Sequence, residues 1–242
     1  MKKQILKSAL IAVTGVGLLA GGAMADPVTI TPVTYTAGTT NYVAGISSYQ
    51  ALAKDMVGMD VFVTFGNDTT AKYEWVEFND TYSGFQIKDS QNELAFKMIS
   101  TGDTFTAEWD ANIIAGAALF IKEIKFDGLS GNIVFDTWSN TEGTANSALG
   151  KPITGTVDGY SGVASASYTD LVAISGNNPV GDLYRYLQIN FTPAFQWAKS
   201  NTISFVADTD KINPVPEPAT MLLFGTGLAG LAAVARRRKI QA

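Results

Sequence analysis

Short runs in which apolar and polar residues alternate recur throughout residues 26–213, and this period of two constrains the fold more than any other feature. Clusters of Gly, Asn, Asp, Ser and Pro separate the runs and favour turns. Val61 and Val63 share one face of such a run, and Ile124 and Phe126 share a face of another. The pattern predicts an all-β domain, an antiparallel β-sandwich of the jelly-roll type.

Three other runs show the same alternation. Their predicted inward-facing residues are Phe105, Ala107 and Trp109; Leu183, Leu187, Ile189 and Phe191; and Ile203, Phe205 and Ala207. Residues 47–54, SSYQALAK, are the one segment of the domain that indicates a short helix. Three prolines between Pro214 and Pro218 predict an extended linker after the domain.

Residues 1–25 contain the three parts of a secretory signal peptide in order. A lysine-rich start is followed by an apolar run over residues 9–20 and then by an A-x-A cleavage box. The cleavage residues are Ala23, Ala25 and Asp26. A buried N-terminal helix is the alternative, but the charge, the length and the cleavage box agree independently. We therefore predict export through the Sec machinery and cleavage by signal peptidase.

Residues 219–235 form a second uncharged run, with the length of a short membrane-spanning helix. The basic residues that follow it are Arg236, Arg237, Arg238 and Lys239. This charge favours a cytoplasmic C-terminus, so the acidic domain is predicted to lie outside the inner membrane. The glycines of the run also spell G-x-G-x-x-G, but a dinucleotide site needs a βαβ unit around that motif, and none is indicated here.

The residues before this run are Val215, Pro216, Glu217 and Pro218. The tetrapeptide, an apolar helix and an arginine cluster, in this order after a signal peptide, resemble the PEP-CTERM sorting signal of Gram-negative bacteria. Residues 214–242 are therefore predicted to be a sorting tail.

This resemblance implies that exosortase, a membrane-embedded transpeptidase-like enzyme, recognises residues 215–218 and removes the tail. The helix at 219–235 would hold the protein transiently in the inner membrane, and the cluster at 236–239 would be the retention signal. The protein would then reach the cell surface or the extracellular polysaccharide matrix. Segments of the domain such as GMDVFVTF are also similar to secreted PEP-CTERM proteins of β-sandwich type, a resemblance that concerns the fold more than a function.

Composition excludes several classes of function. The two ends contain seven of the 17 basic and one of the 22 acidic residues, so residues 26–215 have a net charge of −11. An acidic surface repels phosphate backbones, and we predict that nucleic acid is not a partner. The chain has no histidine and no cysteine, which excludes Ser-His-Asp and Cys-His nucleophiles and His/Cys zinc sites.

Asp208 and Asp210 are two carboxylates at i and i+2 where a predicted strand ends. They are either calcium ligands or a solvated strand end, because the remainder of an EF-hand pattern is absent. We predict no cofactor and no resident metal, with these two residues as the candidates if Ca²⁺ is bound.

The sequence contains candidates for two other kinds of site. Tyr184, Tyr186 and Trp138 could stack on sugars, although aromatic residues of sandwich faces are mostly core and we favour that interpretation. Glu74 with Glu77, or Glu108 with Asp110, could be a glycoside-hydrolase pair, but nothing in the sequence marks their separation. The sequence therefore predicts a non-catalytic surface or matrix protein associated with exopolysaccharide and biofilm. The alternatives are a carbohydrate-binding or adhesive module, with or without calcium, and a carboxylate-based hydrolase.

Overall fold

The computed structural model describes residues 26–88, 92–112, 119–137, 143–147, 150–197 and 201–213. Within them the chain is all-β, as predicted, with two short 3₁₀ turns at Ala53–Met56 and Gly128–Gly131. The strands are β1 Val28–Thr36, β2 Asn41–Val43, β3 Gly45–Ser48, β4 Asp60–Phe65, β5 Thr70–Glu74, β6 Val76–Glu77, β7 Ser83–Lys88, β8 Leu94–Ser100, β9 Trp109–Asn112, β10 Leu119–Asp127, β11 Ile133–Asp136, β12 Thr154–Asp158, β13 Val163–Ile174, β14 Leu183–Trp197, β15 Thr202–Val206 and β16 Thr209–Asn213.

The strands join in one large mixed sheet, and β1 connects its two halves. The start of β1 pairs with β12, and residues 30–36 pair with β13. One half, here called the β8 section, has the order β12-β15-β9-β8-β7-β6. The other half, the β14 section, is built on β14, which has β13 along one edge and β10 and β11 along the other. From there the section continues through β10 to β4 and β5, and through β11 to β16 and β3.

The prediction of purely antiparallel pairing was wrong at one strand. β13 pairs in parallel with β1 and with β2, whereas the other pairings are antiparallel among the described residues. The physical reason is that alternation reports which side chains share a face. It does not report the direction of the neighbouring strand.

The predicted inward faces are confirmed in β4, β10, β14 and β15. Their buried residues are Val61, Val63, Ile124, Phe126, Leu183, Leu187, Ile189, Phe191, Ile203 and Phe205. Phe126 lies among rings of the β8 section, with ring centroids 5.4 Å from Trp109, 6.3 Å from Phe85 and 6.3 Å from Phe205. These contacts place the main core between residues of the two sections.

Two local predictions were wrong. Residues 104–107 form a turn rather than a strand, because the carboxylate of Asp103 accepts the N–H of Phe105 and its carbonyl accepts that of Ala107. Such local bonds compete with a ladder, so β9 begins only at Trp109 and Phe105 is exposed. Residues 47–54 are not one helix, since the end of β3 and the start of a 3₁₀ turn divide them.

The predicted signal peptide and sorting tail, residues 1–25 and 214–242, lie outside the described residues, apart from the exposed cleavage neighbour Asp26. The signal peptide remains a prediction from sequence. In the part of the chain that the structure describes, no helix has the length and apolar character needed to cross a membrane.

Candidate functional site

Three buried aspartates meet where β11 ends and β16 begins. The two strands are antiparallel, with Val134 opposite Asp210, and the backbone N–H of Asp136 donates to the carbonyl of Asp208 at 3.2 Å. Residues two apart on a strand share a face, so this register brings Asp136, Asp208 and Asp210 together. One carboxylate oxygen from each lies within 4.8 Å of the other two. We call these three residues the aspartate cluster.

The segment around Ser147 covers the aspartate cluster. The Ser147 hydroxyl lies 2.6 Å from Oδ2 of Asp136 and 2.5 Å from Oδ2 of Asp210. Gly150 follows so closely that a Cβ on it would stand 2.1 Å from Oδ1 of Asp136. The backbone of Lys151 completes the cover, because its N–H donates to the carbonyl of Asp136 and its carbonyl accepts the N–H of Asp208.

Asp182 anchors the beginning of this segment. Its carboxylate accepts the backbone N–H of Thr144 at 2.5 Å, the Thr144 hydroxyl at 2.7 Å and the N–H of Leu183 at 3.0 Å. Asp182 is fully buried, and these three donors provide hydrogen bonds to both of its carboxylate oxygens. It therefore positions the covering segment and is not a member of the cluster.

The cluster is electrostatically unfavourable when all its carboxyls are ionised. Burial, followed by the charges of Asp210 and Asp136, raises the pKa of Asp208 to about 8. Burial and the charges of Asp136 and Asp182 raise the pKa of Asp210 to about 7, against the opposing hydrogen bond from Ser147. At neutral pH these groups therefore either keep protons or need a cation beside them.

Neither Asp208 nor Asp210 has a counter-charge among the described residues. Lys211, next in sequence to Asp210, instead binds Asp55 at 2.9 Å. Oδ1 of Asp208 and Oδ1 of Asp210 are buried, and neither has a hydrogen-bond partner in the part of the chain that the structure describes. The arrangement is a set of oxygen donors of the kind that hard divalent cations bind.

Sequence reasoning found half of this site. Asp208 and Asp210 are brought together as the i, i+2 spacing suggested, but the alternative of a solvated strand end is wrong, since they are 2% and 1% exposed. Asp136 and Ser147 were missed. A usable signal was present for Asp136, because it ends the apolar run IVFD much as Asp208 ends ISFVAD.

The two described aromatic candidates, Tyr184 and Tyr186, do not form an open sugar platform. Tyr184 is buried beside Tyr168 at 5.7 Å between ring centroids, which confirms the favoured core interpretation for this residue. Tyr186 is half-buried, and the Lys125 Nζ lies 3.7 Å from its ring centroid. Trp138 lies outside the described residues.

The carboxylate pairs weighed for hydrolysis lie away from this cluster in the chain. Glu74 ends β5 and Glu77 ends β6, and both are exposed. Glu108 is exposed just before β9, and Asp110 is half-buried within it. None of these four belongs to the group of carboxylates that could share a metal ion.

A shallow cavity of about 380 Å³ lies beside the covering segment. The described residues that line it are Thr144, Ala145, Ile174, Asn177, Asn178 and Val180. None of these described lining residues is aromatic, so none of them offers a ring for stacking on a sugar.

The predicted sorting residues, Val215 to Pro218 and Arg236 to Lys239, lie outside the described residues, and sequence comparison addresses them instead. The PEP-CTERM protein-sorting motif matches residues 214–239. No curated protein matches the chain. No solved structure matches it either.

Proposed function

From the PEP-CTERM motif at residues 214–239, which marks an exported protein processed by exosortase, we propose a non-catalytic protein of the bacterial surface or extracellular matrix. The motif is the observation that carries this proposal. Export would begin with the signal peptide at residues 1–25 and pass through a transient membrane stage at 219–235. Release by exosortase near residues 215–218 would deliver the acidic domain to the outside.

Several properties of the domain support a structural role at the bacterial surface or in the extracellular matrix. We infer that its two sheet sections pack as the layers of a β-sandwich, an interpretation supported by the ring contacts of Phe126 with Trp109, Phe85 and Phe205. The chain has no histidine or cysteine, which removes the commonest general base and the thiol nucleophile. An acidic domain without disulfides remains soluble in the matrix and depends on its core for stability.

Processing can be tested by mass spectrometry of the protein recovered from host strains with and without exosortase. We expect the wild-type protein to lose residues 236–242 only when exosortase is present. A variant combining Pro216→Ala, Glu217→Ala and Pro218→Ala should retain them in both strains. Asn213→Ala, at the exposed end of β16, is the matched control and should be processed normally. An intact C-terminus on wild-type protein at the cell surface would contradict the proposal.

Association with exopolysaccharide needs its own experiment. In a host that makes exopolysaccharide, the processed protein should fractionate with the matrix. In an isogenic strain unable to make the polymer, it should appear in the medium. Equal retention in both strains would contradict the matrix role and leave surface attachment by another route.

A further inference from the structure

We propose that the aspartate cluster, together with the Ser147 hydroxyl, binds one divalent cation, with Ca²⁺ as the best fit. The bound ion would fasten the covering segment, of which the structure describes residues 143–147 and 150–151, to the ends of β11 and β16. All four ligand residues lie within residues 26–213, so this inference does not depend on the sorting tail.

The distances suit calcium. Ca²⁺ binds six to eight oxygens at 2.3–2.6 Å, so oxygens around one ion are separated by up to about 5 Å. The three carboxylate oxygens lie within 4.8 Å of one another. The Ser147 oxygen, 2.6 Å from Oδ2 of Asp136 and 2.5 Å from Oδ2 of Asp210, is close enough to be a fourth ligand oxygen.

The unpartnered oxygens point to a ligand independently of the clustering. Asp208 and Asp210 are more than nine-tenths buried, and each keeps an Oδ1 atom that no donor from the described residues reaches. Buried polar atoms are almost always satisfied, and Asp182, in the same part of the fold, shows three donors on one carboxylate. A cation among the aspartates would supply the missing partner to both residues at once.

The hydroxyl of Ser147 also indicates that the cluster lacks a positive partner. Its oxygen approaches two carboxylate oxygens at 2.6 and 2.5 Å, but a hydroxyl has a single proton to donate. The second short approach therefore needs either a protonated carboxyl or a positive ion that both oxygens share. The ion satisfies the hydroxyl and the carboxylates together.

The donor types select among metals. The set contains only oxygen, and the chain has no histidine or cysteine that could favour zinc or copper. Mg²⁺ demands near-ideal octahedral geometry and keeps several waters, whereas Ca²⁺ accepts irregular oxygen sets. A buried site with three carboxylates in an irregular arrangement therefore favours Ca²⁺ over Mg²⁺.

The test uses the mature protein purified from its producer, stripped with EGTA and titrated with CaCl₂ or MgCl₂. We expect the melting temperature to rise with Ca²⁺, with a midpoint of about 10⁻⁴–10⁻³ M, the range of extracellular calcium modules. Mg²⁺ should produce less than half of that rise. Tb³⁺ luminescence, excited through the aromatic residues, should report binding without reference to stability and be displaced by Ca²⁺.

The variants Asp208→Asn and Asp210→Asn should lose the Ca²⁺ response and the Tb³⁺ signal. In EGTA they should melt at or above the wild-type temperature, because each replaces a carboxyl whose ionised form is unfavourable in the buried cluster. Asp127→Asn, a buried aspartate elsewhere in the sheet, is the control and should keep the Ca²⁺ response. An absent response in wild-type protein, or a response unchanged in both variants, would overturn the proposal. An equal response to Mg²⁺ would overturn the assignment to calcium.

Discussion

Asp127 and the aspartate cluster are two places where this sheet buries negative charge, and they solve the problem differently. Asp127, at the end of β10, is 5% exposed. Its carboxylate accepts hydrogen bonds from Nε and Nη2 of Arg185 at 2.9 and 2.7 Å. The two residues form a bidentate ion pair within the β14 section. The counter-charge is thus supplied by the chain. Asp208 and Asp210 are buried more deeply, and no described lysine or arginine faces them.

The difference shows two possible sources of counter-charge for a buried carboxylate, the chain itself and the solution. A carboxylate with a fixed guanidinium partner takes its counter-charge from the chain and needs no ion from solution. A carboxylate group whose partner must come from solution makes stability depend on what the solution contains. The first arrangement is structural, whereas the second couples the domain to its surroundings.

Breaking the structural pair should give the largest effect. Arg185→Leu keeps apolar volume but leaves Asp127 buried without its cation, so the free energy of unfolding should fall by about 3 kcal/mol. Denaturant unfolding monitored by tryptophan fluorescence measures this. The effect should not change between EGTA and CaCl₂.

The double variant Arg185→Leu with Asp127→Leu is the control for that loss. Removing both charged partners should restore most of the stability, because no uncompensated charge is then buried. If the single and double variants unfold equally easily, packing around Arg185, rather than the ion pair, determines the loss.

A substitution at Gly150 should affect the cluster through its cover. In Gly150→Ala the new Cβ would stand 2.1 Å from Oδ1 and 2.2 Å from Cγ of Asp136, so the segment or the carboxylate must move. We expect a loss of about 2 kcal/mol, and a calcium-dependent rise in melting temperature reduced to less than half. Thermal unfolding in EGTA and in CaCl₂ gives both values.

Gly45→Ala is the matched control, since the nearest atom to its added Cβ is 3.9 Å away. It should change stability by less than about 0.5 kcal/mol and keep the calcium response. A full calcium response in Gly150→Ala would show that the cover is not part of the binding site.

The faces of the strands could be predicted from sequence, but their partners could not. Alternation identified the buried sides of β4 and β14, because burial on one side of a strand imposes a period of two on composition. It gave no information on the parallel neighbours of β13, which depend on the path of β1 between the two sections. At Phe105 the pattern was present, but the local hydrogen bonds of Asp103 prevailed.

The candidate site, like the fold, could be predicted only in part from the sequence. Asp208 and Asp210 are neighbours in sequence, and their spacing alone made them candidates. Asp136 joins them only through the register of β11 against β16, and Ser147 only through a segment that Asp182 holds in place. Such contacts are set by tertiary pairing. A single sequence therefore indicated two aspartates where the fold assembles three and a hydroxyl.

The smallest effect is expected at Ser147. Its substitution tests whether the hydroxyl binds the ion or is only a hydrogen-bond partner of the carboxylates. Ser147→Ala removes one donor from the proposed ion and one hydrogen bond from the carboxylates. We expect Ca²⁺ affinity to fall about fivefold, which corresponds to about 1 kcal/mol. The free energy of unfolding in EGTA should fall by a similar amount, because one hydrogen bond is lost. Ser147→Thr keeps the hydroxyl and should recover most of the affinity. If Ser147→Ala lowers the melting temperature in EGTA but leaves the calcium midpoint unchanged, the serine serves only the carboxylates. The ion would then be held by the three aspartates alone.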